Sequence, residues 1–310
     1  MSYSNPKTLL RASSIYGAGL AINRALDFAL LPLYTNYLDP VEYGAVALTL
    51  AFLGFGHVVY AMGFGPAFLR YFAMHDGAHR RQMFLGGTLT LFAVALGLSA
   101  LVCGFAPVVG AWFGLGERRL LVDLAAGILF LDVLTLLPYS ILRSEGRVGT
   151  FVACTFFTTI VQVGLTAGLI LLTGIGAESF FIAMVVSSAL NVLIVTISVR
   201  RHVSFAGPIL FPRELLRFGL PFVPAGVATV AIELIDRLFL ERMMDAAAVG
   251  VYSAGYRVAA GMGLLVKAFE YAWVPYLLER RDQALRVTTG AAAGFIVLAG
   301  FLWVGFILLG

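Results

Sequence analysis

Apolar residues run through this chain in long unbroken blocks, without the alternation of exposed strands or the narrow stripe of a surface helix. Nine blocks of 21 to 26 residues stand out, at 13–38, 43–65, 84–106, 120–142, 149–173, 179–199, 218–241, 249–271 and 287–310. At 1.5 Å rise per residue, each is long enough to cross a hydrocarbon layer about 30 Å thick as a helix. The pattern predicts an all-α, polytopic transmembrane helix bundle of about nine spans. The first block lacks an Ala-x-Ala-type cleavage site and is read as an uncleaved first helix.

Composition agrees with that reading: 60% of the residues are hydrophobic and only 12% are charged, against about 45–50% and 25% in soluble domains. Cys103 and Cys154 each lie inside an apolar run and read as small packing residues. The sequence pI near 9.2 raises nucleic acid as a partner, but the placement of the basic residues excludes it. Alternate connectors 1–12, 66–83, 143–148, 200–217 and 272–286 hold 14 of the 21 Lys and Arg residues. The opposite connectors 39–42, 107–119, 174–178 and 242–248 hold only Arg118, Arg119 and Arg242. By the positive-inside rule the N-terminus is cytoplasmic, the protein sits in the cell (inner) membrane, and the basic surplus is topology.

The spans also repeat. A shift of 206 residues overlays Leu9-Leu10-Arg11 on Leu215-Leu216-Arg217, Asp27 on Glu233, Asp39 on Asp245 and Gly44 on Gly250, without a gap. Six spans separate the copies, so both start from the same side and the repeat is parallel. This divides the chain into a six-helix lobe, 1–205, and a partial second lobe of three helices, 206–310, joined through the basic, Gly- and Pro-containing segment Arg200–Pro212. The second lobe is incomplete against the first, which suggests that the natural protein is longer or that a segment was lost.

Ionisable residues near the middle of spans point to function. Arg24, Asp27, Asp132, Glu233, Asp236, Arg237 and Arg257 would together cost about 20 kcal/mol if all faced lipid. They therefore face one another, backbone or water. Arg24 with Asp27, and Glu233 with Arg237, have the spacing of pairs within one helix; alternatively they line a shared hydrated cavity. Three mid-span arginines favour an anionic headgroup there, because guanidinium groups fork onto phosphate oxygens. Asp132 has no basic neighbour one turn away, and with Glu233 it is a candidate for ion coupling. His57 reads as a packing histidine, and Asn191 as an interhelical hydrogen-bonding residue. Tyr16, Asn23, Asp27 and Tyr34 stripe one face of the first span. Pro221 and Pro224 are expected to break the seventh. Gly164/Gly168 and Gly290/Gly294 have the spacing of helix-packing glycines. No GxSxG, HExxH, Walker A or paired CxxC motif is present, and no connector is long enough for an enzyme's donor site, so neither an enzyme, a metal site nor a cofactor is expected.

Several ordered motifs carry a family resemblance. Leu9-Leu10-Arg11 followed by Pro32-Leu33-Tyr34-Thr35-Asn36-Tyr37-Leu38-Asp39-Pro40 and Glu42-Tyr43-Gly44 resembles the opening of the polysaccharide-biosynthesis (O-antigen flippase) family, as does Leu69-Arg70-Tyr71-Phe72. Leu137-Pro138-Tyr139-Ser140 through Arg147, Phe218-Gly219-Leu220-Pro221-Phe222-Val223-Pro224, Asp236-Arg237-Leu238-Phe239-Leu240, Val249-Gly250-Val251-Tyr252-Ser253 and Ala272-Trp273 with Pro275-Tyr276 are similar to later parts of it. That family belongs to the multidrug/oligosaccharidyl-lipid/polysaccharide exporter superfamily. The resemblance implies two lobes around a central cavity and cation-coupled alternating access. It also implies translocation of an undecaprenyl-pyrophosphate-linked oligosaccharide for surface polysaccharide (lipopolysaccharide O-antigen) synthesis. By position it implies Arg24, Asp27, Asp236, Arg237 and Arg257 as cavity residues. Its expected partners are the lipid-linked substrate, membrane lipid, and polysaccharide polymerase or assembly proteins. Two other readings stay open: a cation-coupled multidrug exporter of the same superfamily, and a non-transporting truncated form or scaffold of an assembly complex.

Overall fold

The computed structural model describes residues 31–75, 77–202 and 213–257, together with the isolated positions 19, 22, 26 and 300. Helices account for all regular structure among the described residues. They are α1 (Leu31–Tyr37), α2 (Pro40–Ala61), α3 (Phe64–Met74), α4 (Gly77–Gly104), α5 (Ala106–Trp112), α6 (Arg119–Ser144), α7 (Val148–Thr173), α8 (Glu178–Ser198), α9 (Arg213–Gly219) and α10 (Phe222–Met243). A 3₁₀ turn covers Arg200–His202, and residues 246–257 are also helical.

Five helical segments are long and apolar enough to cross a membrane: Pro40–Phe72, His79–Gly104, Arg119–Ser144, Val148–Thr173 and Glu178–Ser198. The α9–α10 pair makes a sixth if its two halves form one span. These match the second to seventh apolar blocks within a few residues at most ends, and the chain is a multi-pass membrane protein. The first, eighth and ninth blocks lie wholly or mostly outside the described residues. Two connectors are shorter than the sequence suggested. Chain expected to loop over 66–83 is largely helix, α3 and the start of α4, because Phe64, Phe68 and Phe72 recur at helical spacing and all three are buried. The connector 107–119 likewise holds α5.

Local chemistry sets the ends and breaks. Asp39 caps α2, its Oδ1 accepting from the Glu42 N–H at 2.8 Å, and Pro40 occupies a first-turn position where no N–H is needed. Asp245 accepts from the Ala248 N–H at 2.8 Å, so the capping aspartates of the two copies act alike. Between α2 and α3, Met62 (φ 45°) and Gly63 (φ 67°) are both left-handed. Gly63 is pressed against the Gly219 carbonyl, where a Cβ would overlap. The break expected at Pro221 and Pro224 is present: α9 and α10 meet at 43°.

Helix α6 is the hub, packing against α2, α3, α4, α5, α7 and α8. Its small Ala125 and Ala126 and its branched Ile128 and Leu129 are fully buried, so neighbouring backbones approach closely. Many hydroxyls satisfy themselves on the preceding turn, as Thr49 does on Ala45 O and Ser140 on Leu136 O, each at 2.8 Å. Such bonds let polar side chains sit in a medium without water. Bulky side chains such as Leu172 (87% exposed) and Ile232 (84%) point outward, as lipid-facing residues do. Contrary to its packing motif, Gly164/Gly168 has no neighbour within 4 Å among the described residues. The buried residues of α7 are Val148, Cys154, Thr158, Thr166 and Ile170, and these place the glycine pair off the contact face.

Candidate functional site

Helix α2, helix α10 and the helix 246–257 enclose a cavity of about 110 Å³. Val46, Ala47, Leu50 and Leu234 make its wall apolar, while Arg237, Arg257, Ser253, Tyr43 and Tyr256 supply the polar lining. Arg237 is held tightly. Its Nη1 donates to the Glu233 carbonyl at 2.8 Å and to Asp236 Oδ1 at 3.2 Å, and its guanidinium lies 4.7 Å from the centre of the Tyr256 ring. Asp236 is fixed in turn by the Tyr252 hydroxyl, which donates to Oδ2 at 2.5 Å. The i,i+4 ion pair that the spacing of Glu233 and Arg237 allows is not formed. Arg237 uses the backbone of Glu233 and the carboxylate of Asp236, and the Glu233 residue is exposed.

Arg257 is held differently. Its guanidinium lies 5.4 Å from the ring of Tyr34 and 5.7 Å from that of Tyr43. Its Nη1 is buried with no hydrogen-bond partner among the described residues, and so is the Ser253 Oγ in the same lining. Among the described residues, two guanidinium groups against one carboxylate leave this cluster with a net charge of +1. A guanidinium in apolar surroundings with an unused donor is an anion acceptor.

The sequence singled out Asp236, Arg237 and Arg257, and the structure brings these together. Arg24 and Asp27 lie outside the described residues. The sequence did not mark Tyr43, Ser253 and Tyr256 as lining residues, nor Tyr252 as the partner of Asp236. The spacing of Tyr252 and Tyr256, one turn apart beside Arg257, is the signal that marks them.

Asp132 belongs to a second polar cluster. Its Oδ2 lies 2.9 Å from His57 Nε2 on α2, and its Oδ1 accepts from the Ser188 hydroxyl on α8 at 2.6 Å. Further along α6, Tyr139 donates to Asn191 Oδ1 at 2.5 Å. His57, read from sequence as a packing residue, is thus the partner that Asp132 lacked on its own helix. Near the first turn of α2, Glu42 bonds Arg118 and accepts from the Ala177 N–H, the latter at 2.7 Å. The hydrogen bond from Arg118 to Glu42 holds the Arg118 guanidinium above its ordinary pKa.

The helices of this membrane protein take up a fold seen in flippases and multidrug transporters. Three solved structures share it. A lipid II flippase, MurJ, in an inward-closed conformation superposes with TM-score 0.65 at 18% identity, covering 79% of this chain and 54% of the flippase. The chain therefore spans about half of that protein's length. A MATE multidrug transporter, DinF-BH, superposes with TM-score 0.65 at 19% identity, covering 96% of this chain and 73% of its own. An outward-facing multidrug resistance MATE family transporter of the MOP superfamily gives TM-score 0.57 at 20% identity, covering 96% of this chain and 76% of its own. No curated protein sequence matches. The family model described as polysaccharide biosynthesis protein matches residues 36–302, and the chain belongs to that family.

Proposed function

We propose that this protein is a flippase that carries an undecaprenyl-pyrophosphate-linked oligosaccharide across the cytoplasmic membrane for surface polysaccharide synthesis. The single observation carrying this reading is the cationic cavity in which buried donors of Arg257 and Ser253 have no partner among the described residues. A space of about 110 Å³ lies well below the size of a drug-sized pocket and suits a phosphate-sized group, not a whole glycan. Arg237 and Arg257 hold the headgroup charge, and the family resemblance implies Arg24 and Asp27 as further substrate-binding residues. Sugars and polyprenyl chain lie outside this pocket.

The family description supports a substrate on the polysaccharide pathway, and the lipid II flippase in the same fold supports a lipid-linked one. The N-terminus is cytoplasmic, and lobes 1–205 and 206–310 flank the path. Asp132, hydrogen-bonded to His57 and Ser188, is the cation-coupling group; Glu233 is a weaker candidate, because it is exposed. Polymerase or assembly proteins receive the product. The MATE neighbours favour a drug exporter as a second reading, but a drug cation is poorly served by a site whose net charge is positive. The experiment is complementation of a flippase-deficient strain. Alanine at Arg24 and Arg237 should abolish surface-polysaccharide export, and unchanged export would refute the reading. Restored drug resistance without export would favour the alternative.

A further inference from the structure

The pocket around Arg237 and Arg257 is too small for sugars, but the surface at its rim has the chemistry to hold one. Tyr252 and Tyr256 stand one turn apart on the helix 246–257, with ring centres 6.2 Å apart and planes 36° from each other. They stay 40% and 45% exposed. Tyr256 also lines the cavity, where the Arg237 guanidinium lies 4.7 Å from its ring centre. The two rings therefore form a step leading out of the cationic pocket.

Tyrosines near a helix end commonly face lipid headgroups at the membrane surface. The charges around this pair assign it to water within the protein instead. The Asp236 side chain is 39% exposed, and Thr229 and Glu233 are exposed too. Thr229, Glu233 and Asp236 recur at i, i+4 and i+7, so one face of α10 is polar. Two ionised carboxylates facing hydrocarbon are too costly for one helix to carry, so this face looks onto water.

Hydrogen bonding leaves capacity for a ligand. Asp236 Oδ1 accepts from the Arg237 backbone N–H at 2.9 Å and from its Nη1 at 3.2 Å. Among the described residues, Oδ2 accepts from the Tyr252 hydroxyl alone, at 2.5 Å. Lone pairs on Oδ2 and on the Tyr252 oxygen thus remain, side by side, for two neighbouring hydroxyl groups. Next to them in the chain, Ser253 is only 7% exposed, lines the pocket, and has no partner for its Oγ among the described residues. A pyranose has a hydroxyl edge and an apolar C–H face. The carboxylate and phenol oxygens suit the edge, and the ring faces suit the other side.

We propose that Tyr252, Tyr256 and Asp236 form the subsite for the sugar joined to the pyrophosphate, and that Glu233 restricts it to an uncharged sugar. This rests on the pyrophosphate reading above: a phosphate in the cavity leaves the first sugar at its rim, over the tyrosine rings. The carboxylates of Asp236 and Glu233 accept from the hydroxyls of a neutral sugar and repel a uronic acid.

Calorimetric titration of the purified chain with three probes tests the subsite: farnesyl pyrophosphate, and the same compound carrying one glucose or one glucuronic acid. The glucose probe is expected to bind about tenfold more tightly than the bare pyrophosphate, as one charge-assisted hydrogen bond provides. The glucuronate probe should bind at least about tenfold more weakly than the glucose probe. Tyr252→Leu brings the preference for glucose to within about twofold. Tyr252→Phe keeps the ring and lowers the preference about threefold, and it carries the test if the leucine variant is not recovered from membranes. Glu233→Gln narrows the gap between the glucose and glucuronate probes about threefold or more. Phe157→Leu, at an exposed ring on α7, leaves all three affinities unchanged. Equal binding of the bare and glucosylated probes by the parent overturns the subsite alone. So does an unchanged preference in the Tyr252 variants, or unchanged discrimination in Glu233→Gln. A parent that binds none of the three probes overturns the pyrophosphate reading, and the subsite with it.

Discussion

Replacing Arg257 by alanine separates a binding residue from a structural one. In the folded protein this side chain has two aromatic neighbours and an unused buried donor. Two cation–π contacts contribute about 0.5–1 kcal/mol each, and the buried unpaired donor costs about 1–3 kcal/mol. The terms nearly cancel, so Arg257→Ala is expected to change fold stability by less than about 1 kcal/mol. Binding is another matter. Two charge-assisted hydrogen bonds to a phosphate, at about 1.5–3 kcal/mol each, amount to roughly 3–6 kcal/mol, or at least about a hundredfold in affinity. Arg237→Ala behaves differently. It removes a buried side chain and strips the partly exposed Asp236 of its cation, and is expected to lower stability by about 1–2 kcal/mol as well as binding. Thermal unfolding in detergent and calorimetric titration with farnesyl pyrophosphate measure both quantities. Binding within threefold of the parent in Arg257→Ala, or unfolding as severe as in Arg237→Ala, would refute this division of labour.

Further substitutions test the remaining arguments. Glu42→Ala removes the partner of Arg118 and of the Ala177 N–H; with both ionic side chains partly exposed, the expected loss is about 1–2 kcal/mol, read as a fall of a few degrees in Tm. Asp132→Asn keeps the size of the side chain but not its charge, and is expected to abolish the dependence of export on a cation gradient while leaving farnesyl pyrophosphate binding intact; loss of binding would reassign Asp132 to the headgroup site. Gly164→Leu should alter stability by no more than about 0.5 kcal/mol, whereas Gly63→Ala, at φ 67° and against the Gly219 carbonyl, should lower stability by at least about 1–2 kcal/mol. Equal effects of these two in thermal unfolding would contradict the packing described.

Much of this architecture was legible because the membrane imposes so coarse a rule. An apolar block of sufficient length becomes a helix whatever its neighbours, so the second to seventh spans fall where the hydropathy placed them. Pro221 announced its break for an equally local reason, the missing N–H. The break at Met62–Gly63 was not legible, because a left-handed methionine is enforced by tertiary packing against Gly219. The candidate site divided in the same way. Charge inside an apolar run marked Asp236, Arg237 and Arg257. The partners that give those charges their chemistry come from other helices: Tyr43 from α2, His57 for Asp132, and Arg118 for Glu42. Spacing along one helix cannot reveal such pairs; it allows Glu233 to pair with Arg237, but Asp236 takes that place in the fold.

Reconstitution tests the central claim most directly. The purified chain is placed in proteoliposomes containing a fluorescent polyprenyl-pyrophosphate oligosaccharide, and the fraction reaching the opposite leaflet is read by quenching from outside. Translocation by the parent, abolished in Arg237→Ala and in Arg257→Ala, is the expected result. Leaflet exchange no faster than in protein-free vesicles, or undiminished in both arginine variants, would contradict it.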